Sequence, residues 1–293
     1  MRNKNKIRRS VGSHIFDTVN IAFLLLLAFL TLYPFWDCLI VSVSSVKSYL
    51  SSGIHLWPGE WAFDGYLYML GKKELWQSYA NSIFITLVGT SINMLITTMA
   101  AYVLSRTYLK GRRVLMFFAV FTMMFSGGII PLYIVIQKLK LMNSLWAMIL
   151  PSAINTYNLI ILRNFFHSLP RELEESAFLD GCTDIGVLFR IMLPISKPAL
   201  ATISLFYAVA NWNEFFAAVM YINEKKKWPL QLFLRSMLFE NDAAYSSGGE
   251  NLFLLGQPMK MAAVMMAIIP IMCMYPFFQK YFTKGALLGA VKG

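Results

Sequence analysis

Acidic side chains are concentrated in one short stretch of this chain, residues 167–197. The stretch holds five acidic residues and only three basic ones, the acids being Glu172, Glu174, Glu175, Asp180 and Asp184. Carboxylates form their strongest hydrogen bonds with charged donors such as arginine and lysine. The histidines that a metal site or a catalytic triad would use, His14, His55 and His167, are scattered over different regions. The cluster therefore indicates a docking surface that a partner meets outside the membrane, and we find no catalytic constellation.

The element that positions these carboxylates is predicted to be a helix followed by a tight turn. Ser168 and Pro170 are typical of a helix start, so the first helix is expected to begin near Leu169. Three glutamates fall in its early turns, where exposed backbone N–H groups favour negative charge. Gly181 can adopt the left-handed conformation that other residues resist, and the helix is expected to end there.

A second short helix is predicted after the turn. Thr183 or Asp184 can cap its start, and its apolar positions are Ile185, Leu188, Phe189 and Met192. Pro194 and Pro198 prevent it from continuing unchanged into the apolar run that follows. We call residues 168–194 the elbow. A DNA-binding helix-turn-helix is excluded as an interpretation, because phosphates would repel the surplus of carboxylates.

The composition is that of a protein that crosses a membrane several times. Hydrophobic residues make up 57% of the 293 residues and charged residues only 14%, well below the roughly 25% typical of soluble chains. Six apolar runs are each long enough to cross a bilayer core of roughly 30 Å as a helix; they lie near 18–44, 80–105, 114–136, 144–166, 198–222 and 261–282. Glycines and Pro131 interrupt the third run, so 131–141 is predicted to be a short separate helix.

The distribution of basic residues predicts the orientation. If the basic N-terminus is cytoplasmic, 16 of the 26 lysines and arginines lie inside, as the positive-inside rule favours. Both termini are then cytoplasmic, and the first run is too long for a signal-peptide core. This rule also explains most of the net charge of +11. The basic loop Arg106–Arg113 is interpreted as an anchor to anionic lipid head groups.

The predicted organisation has five parts. They are a basic cytoplasmic arm (1–17), a peripheral first transmembrane helix (18–44), an extracytoplasmic loop (45–79), a core bundle that contains the elbow (80–282) and a cytoplasmic tail (283–293). Cys38, Cys182 and Cys273 have no C-x-x-C spacing and are expected to be inert thiols. Gly71-Lys72 lacks the spacing of a phosphate-binding loop, so this chain is not expected to hydrolyse ATP.

Polar residues within the apolar runs mark a candidate pathway, because such groups are costly to expose to lipid. Tyr207, Asn211 and Glu214 lie three or four residues apart on one predicted helical face. Hydroxyl, amide and carboxylate groups suit the recognition of sugar hydroxyls. The candidate pathway residues are Tyr157, Tyr207, Asn211, Trp212, Asn213 and Glu214. Alternatively, these groups hydrogen-bond neighbouring helices or a partner subunit.

The elbow resembles the cytoplasmic signature of the membrane subunits of binding-protein-dependent ABC importers. That signature is E-A-A, three residues, G, nine residues, I-x-L-P. Here it is Glu175-Ser176-Ala177, then Gly181, then Ile191-Met192-Leu193-Pro194, with serine for the first alanine as the only departure. Leu179-Asp180-Gly181, Asn211-Trp212-Asn213-Glu214-Phe215 and the ending Tyr281–Gly293 resemble the carbohydrate branch of the family, the maltose-type permease and its oligosaccharide-importing relatives.

The resemblance implies an all-α membrane protein with about six transmembrane helices, a type I ABC importer permease bundle with a cytoplasmic coupling helix. The elbow would dock in a cleft of the ATPase, and the implied coupling residues are Glu174, Glu175, Ser176, Ala177, Leu179, Asp180, Gly181, Ile191, Leu193 and Pro194. Glu175 is the strongest candidate for pairing with a basic residue of the ATPase, whereas Glu172 and Glu174 either are solvated or contact it directly.

The same resemblance implies the partners and the location. The partners would be a second, different permease subunit, two cytoplasmic ATPase subunits, an extracytoplasmic solute-binding protein, a carbohydrate substrate and membrane lipid, without nucleic acid. This chain would hold no cofactor, since ATP and Mg would be bound by the ATPase subunits. It would lie in the bacterial cytoplasmic (inner) membrane and would not be an enzyme itself.

Two alternatives belong to other classes. An ion-coupled secondary transporter should carry buried titratable residues in several spans, and only Asp17, Asp37 and Glu214 are candidates. A membrane enzyme or scaffold would need the active-site pattern that is missing. Within the importer hypothesis, Lys225-Lys226-Lys227 lies on the side where a uronate oligomer would arrive, although a solvated loop is the preferred interpretation of this run.

Overall fold

The computed structural model describes residues 11–51, 53, 55–246 and 256–290, which form helices, turns and one isolated bridge between Ser44 and Trp61. Most of the predicted N-terminal arm and the last three residues of the predicted tail lie outside the described residues. The helices in chain order are α1 (Val11–Ser42), α2 (Val46–Ser51), α3 (Asp64–Leu70), α4 (Lys73–Ser105), α5 (Arg112–Met124), α6 (Ile129–Lys138), α7 (Trp146–Ile149), α8 (Thr156–His167), α9 (Glu172–Leu179), α10 (Asp184–Val187), α11 (Leu193–Ile195), α12 (Lys197–Trp212), α13 (Phe216–Tyr221), α14 (Leu230–Ser246) and α15 (Gly256–Ala290).

Three of these helices contain segments long and apolar enough to cross a membrane: Gly12–Ser42, Lys73–Ser105 and Gly256–Met274. Two bent pairs within the described part of the chain would raise the count to five if each pair is one span. The all-helical membrane fold is therefore confirmed. The predicted run 144–166, however, is divided between α7 and α8, because Asn155 caps a new helix by accepting the backbone N–H of Asn158 at 3.1 Å.

The interruption predicted in the third run is confirmed. Helix α5 ends at Met124 and α6 begins at Ile129, and the two helices meet at 111°. Gly128, which precedes α6, has a φ of +85°, a conformation that few other residues adopt readily. The chain therefore turns sharply at this position and does not continue as one straight helix.

The chain is divided into two compact units. One comprises the residues up to Met69 together with Asn241–Met266, and the other comprises Leu70–Glu240 together with Ala267–Gly293. In the first unit, the hydroxyl groups of Ser42 and Tyr66 are 2.8 Å apart, and burial raises the pKa of Tyr66. The second unit contains the elbow and all the candidate pathway residues.

The core of the second unit is built around α4, which packs mainly on α8 and α12. Its buried cluster includes Tyr102 of α4, Leu162 and Phe166 of α8, and Ile203 of α12. Two elbow residues, Ala177 and Met192, belong to the same cluster. The elbow is therefore packed on the bundle and does not project from it as an isolated loop.

A glycine allows α4 and α12 to approach closely. A Cβ atom at Gly89 would lie 3.0 Å from Nδ2 and 3.3 Å from Cγ of Asn211, which is tighter than ordinary van der Waals contact. Small residues at helix crossings permit such approach in membrane proteins. The crossing places polar groups of the two helices within hydrogen-bonding distance.

Candidate functional site

The first limb of the elbow is α9, which starts three residues later than predicted. Ser168 still completes α8, since its N–H donates to the Asn164 carbonyl at 3.1 Å. The residue before a proline is disfavoured in helical conformation, so Leu169 does not begin a helix. Helix α9 begins at Glu172 after Pro170 and Arg171. Gly181 then has a φ of +81°, which confirms the predicted left-handed turn.

The second limb runs from Asp184 to Ile195. Thr183 caps it by accepting the N–H of Gly186 at 3.3 Å. The limb passes through one π-helical turn, Leu188–Met192, and meets α12 at an angle of 86°. The predicted break between Pro194 and Pro198 is therefore confirmed.

The signature residues of the elbow differ in exposure. Ala177 is buried, whereas Glu175, Ser176, Asp180 and Gly181 are exposed. Leu179 is 89% exposed. Ile191 and Leu193 are half-buried, and Pro194 is exposed. The turn therefore presents a carboxylate and a large apolar side chain to its surroundings.

Two further apolar residues of the elbow are exposed, although the sequence pattern assigned them to a packed face. Ile185 is 71% exposed and Phe189 is 54% exposed, while Leu188 and Met192 are buried. The four positions cover an arc of about 100° on an α-helix, and only the half that holds Leu188 and Met192 packs on the core of the bundle. The outer half of this arc adds to the exposed apolar surface around Leu179.

Glu174 is not a solvated neighbour of Glu175. It is 7% exposed, and its carboxylate pairs with the guanidinium of Arg106, which is also 7% exposed. Arg106 was expected to anchor the loop to lipid head groups, and that interpretation is wrong for this residue. Burial lowers the pKa of the Arg106 guanidinium, while the nearby Tyr102, Tyr108 and Asp184 oppose that shift. Spacing in the sequence carries no signal for this pair, which joins residues 68 positions apart.

A second polar contact joins the same loop to the other limb of the elbow. The Tyr108 hydroxyl donates to Oδ1 of Asp184 at 2.9 Å. Partial burial raises the pKa of Tyr108, and the hydrogen bond to the Asp184 carboxylate raises it further. A hollow of about 250 Å³ lies beside these contacts, and Tyr108, Arg171, Glu175 and Phe178 contribute to its lining.

Four of the six candidate pathway residues line one groove of about 430 Å³: Tyr157, Tyr207, Asn211 and Glu214. The other lining residues are mostly polar or small, namely Ser152, Asn155, Asn158, Phe206 and Ala210. Tyr157 is 58% exposed and presents an aromatic ring to the groove. Such a surface offers hydroxyl and amide groups together with one carboxylate, that of Glu214.

Trp212 and Asn213 do not line this groove. Trp212 is buried; its Nε1–H donates to the Ala267 carbonyl at 3.3 Å, and its ring lies against Tyr79. The Asn213 amide donates to the Val209 carbonyl at 2.9 Å, where α12 ends. Trp212 therefore packs within the protein, and Asn213 bonds the end of its own helix.

A polar network connects the groove to α4. Asn93 donates to the Ser152 carbonyl at 2.6 Å and accepts a hydrogen bond from the Asn211 amide at 3.0 Å. The hydroxyl groups of Thr97 and Tyr207 are 2.7 Å apart. The groove residues therefore also bond neighbouring helices, so the two interpretations made from the sequence are compatible.

Replacing Asn93 with leucine is expected to lower the stability of the protein. The variant removes two hydrogen bonds, the one to the Ser152 carbonyl and the one from the Asn211 amide, and each such bond contributes about 0.5–1.5 kcal/mol. The midpoint of thermal unfolding in detergent measures this loss. Ser91→Ala is the matched control, because Ser91 is exposed on α4 and donates only to the Leu87 carbonyl of its own helix. Equal midpoints for the two variants would contradict the role of the network.

The lysine turn Lys225–Lys227 is held in place by polar contacts. Lys227 Nζ is 3.1 Å from a carboxylate oxygen of Glu224, and the Asn143 amide also donates to Glu224. These two hydrogen bonds, that of Lys227 first, lower the pKa of Glu224. The Lys225 ammonium lies 5.6 Å from the centre of the Trp228 ring, while Lys226 is exposed.

The chain matches a protein family model over residues 93–287, that of the binding-protein-dependent transport system inner membrane component. It is 44% identical to the polygalacturonan/rhamnogalacturonan transport system permease protein YtcP of Bacillus subtilis, over 96% of this chain and 99% of the relative. It is also 44% identical to protein LplC of the same organism, over 96% of both chains. Among solved structures, it resembles a bacterial ABC transporter involved in the import of the acidic polysaccharide alginate, with a TM-score of 0.85, 33% identity and coverage of 94% of this chain and 99% of the other.

The fold and the elbow define a membrane permease component of an ABC transport system, rather than its ATPase. The chain belongs to the family of binding-protein-dependent transport system inner membrane components. The family resemblance found from the elbow signature is therefore confirmed, and the comparisons give no support to an ion-coupled secondary transporter.

Proposed function

We propose that this chain is the permease subunit of an ATP-driven importer that carries an oligosaccharide, with uronate-rich fragments of acidic polysaccharides as the substrate class. The main support is 44% identity over almost the full length of a polygalacturonan/rhamnogalacturonan permease. The similarity to a transporter of acidic alginate points the same way. The cationic turn at Lys225–Lys227 is suited to attract such substrates on the outer face.

The elbow is proposed to dock in the ATPase. Its exposed surface combines the Glu175 carboxylate with the apolar side chains of Leu179, Ile185 and Phe189. Exposed apolar groups surrounded by polar ones are typical of interfaces with another protein. An arginine or lysine of the ATPase would pair with Glu175. The ATP and Mg that drive the cycle are bound by the ATPase subunits and not by this chain.

The rest of the assembly is proposed by the same reasoning. The chain pairs with a second, different permease subunit, and a solute-binding protein delivers the sugar on the outer face. Both termini lie in the cytoplasm, as the distribution of basic residues favours. The sugar passes along the groove that contains Tyr157, Tyr207, Asn211 and Glu214.

The proposal predicts that trigalacturonate stimulates ATP hydrolysis by the complete importer. The importer, with its second permease and ATPase, is reconstituted in liposomes with its binding protein, and hydrolysis is measured with trigalacturonate or neutral maltotriose. Trigalacturonate is expected to raise the rate and maltotriose to leave it unchanged.

Glu175→Lys is expected to weaken ATPase binding, since a hydrogen bond to a charged group contributes about 1.5–3 kcal/mol, or roughly 10- to 100-fold in affinity.

Equal stimulation by maltotriose would contradict the uronate specificity. A lack of response of the intact importer to either sugar would contradict carbohydrate import. Normal assembly and transport in the Glu175→Lys variant would contradict the docking role of the elbow.

A further inference from the structure

The elbow is joined to the bundle by a charged pair that the signature does not include. Arg106 follows the last residue of α4, and Glu174 lies in α9. Both residues are more than nine-tenths buried, and Nη1 of Arg106 contacts Oε1 of Glu174. A buried ion pair adds little to stability compared with well-packed apolar residues. Its contribution here is a fixed geometry between α4 and the first limb of the elbow.

Arg106 is held rigidly on its own helix. Its Nε donates to the Tyr102 carbonyl at 3.3 Å, and its guanidinium carbon lies 4.3 Å from the centre of the Tyr102 ring. The Tyr102 ring in turn meets Phe166 of α8 edge to face, at 6.3 Å between centres. The guanidinium therefore has little freedom to follow Glu174 unless the end of α4 moves with it.

The other limb of the elbow is attached to the same segment. Tyr108, two residues after Arg106, donates to the Asp184 carboxylate at 2.9 Å. Asp184 is the first residue of α10. Both limbs are thus bound to residues 106–108, one through a buried ion pair and the other through an exposed hydrogen bond.

Helix α4 continues without a break from this attachment to the groove. Thr97 and Asn93 lie nine and 13 residues before Arg106, which is about 14 and 20 Å at the rise of an α-helix. Thr97 bonds Tyr207, and Asn93 bonds Asn211, both of which line the groove. A displacement of the elbow that carries the end of α4 therefore reaches the groove through one rigid element.

We propose that the Arg106–Glu174 ion pair, assisted by Tyr108–Asp184, is the connection through which movement of the elbow is transmitted to α4 and the groove. This inference rests on the proposed import function. Arg106 and Glu174 are positioning residues, since neither is proposed to touch the sugar or the ATPase. They keep the elbow and α4 moving as one body when the ATPase closes.

The test uses the complete importer in liposomes with trigalacturonate as the probe. Glu174→Gln keeps the shape of the side chain and removes its charge. The expected result is that ATP hydrolysis continues while the amount of sugar imported per ATP falls by about fivefold. A change of this size is at the lower end of couplings between distant sites. Arg106→Gln and the double variant are expected to show the same loss as Glu174→Gln, because residues that act as one unit are non-additive.

A purely structural role for the pair would reduce the amount of assembled importer without changing the sugar imported per ATP. Co-purification with the ATPase measures assembly. The ratio of sugar imported to ATP hydrolysed is then measured on the assembled fraction. Lys110→Met is the matched control, since Lys110 is an exposed basic residue of the same loop. An unchanged ratio in Glu174→Gln, in an importer whose wild type responds to trigalacturonate, would overturn the inference while leaving the proposed function intact.

If Glu174→Gln does not assemble, Tyr108→Phe decides the question. Tyr108 is 64% exposed, so loss of its hydroxyl leaves no buried group unsatisfied. The expected result is a smaller but measurable fall in sugar imported per ATP, with assembly unchanged. A ratio equal to that of the wild type would overturn the inference.

Discussion

Leu179→Asp is expected to prevent stable association of this permease with its ATPase. Leu179 is the most exposed of the large apolar residues described in the elbow, at 89%. Burying a leucine side chain contributes about 1.5–3 kcal/mol, and an unpaired carboxylate at the same place adds a desolvation cost. Loss of the apolar contribution alone corresponds to roughly 10- to 100-fold in affinity. Co-purification of the ATPase with the tagged permease measures the effect.

The matched control is Leu179→Met, which conserves apolar character and approximate volume. It is expected to retain the ATPase. The thermal unfolding midpoint of the isolated permease should be the same for both variants, because the side chain has few contacts within the chain. If the ATPase binds the Leu179→Asp variant as strongly as the Leu179→Met variant, the ATPase does not cover Leu179.

Gly181→Val is expected to lower both sugar-stimulated ATP hydrolysis and transport by changing the angle between the limbs of the elbow. Gly181 has a φ of +81°, and no other atom lies within 4 Å of the position of an added Cβ. The cost is therefore one of backbone conformation, about 1–3 kcal/mol for a residue held in this region, and most for a β-branched side chain. Sugar-stimulated ATP hydrolysis and uptake in liposomes measure the effect, and both should fall towards the unstimulated level.

Gly186→Ala is the control on the same elbow. Its added Cβ would meet Oγ1 of Thr183 at 3.5 Å, an ordinary contact, and its φ is not in the left-handed region. Transport by this variant is expected to match the wild type. If Gly181→Val also transports normally, the angle of the elbow does not contribute to coupling.

Local features of the elbow were predictable because each depends on one or a few neighbouring residues. A glycine at the turn, a threonine cap and the two prolines on either side of the start of α12 act through backbone chemistry that the sequence displays directly. Burial and pairing were not predictable in the same way. Three glutamates close together in the sequence look alike, yet Glu174 is buried against Arg106 while Glu175 is exposed.

The groove residues show the same difference between what the sequence predicts and what packing decides. The helical spacing of Tyr207, Asn211 and Glu214 predicted that they share a face, and they line one groove. Trp212 and Asn213 were grouped with them by sequence proximity, but Trp212 turns towards Ala267 and Asn213 bonds back to its own helix. A helix rotates by about 100° per residue, so Trp212 lies about 100° beyond Asn211 and about 200° beyond Ala210, away from the groove that these two residues line.

Composition, helix stop signals and a long signature were sufficient to predict an all-helical membrane permease with a two-limbed elbow, because each of them is a property of the linear chain. The folded arrangement was needed to show which carboxylates face inward, which apolar residues remain exposed and where α4 contacts the elbow. Those properties depend on residues far apart in the chain, such as Arg106 and Glu174. Burial and ion pairing are created by the packing of helices against one another, which local spacing does not encode.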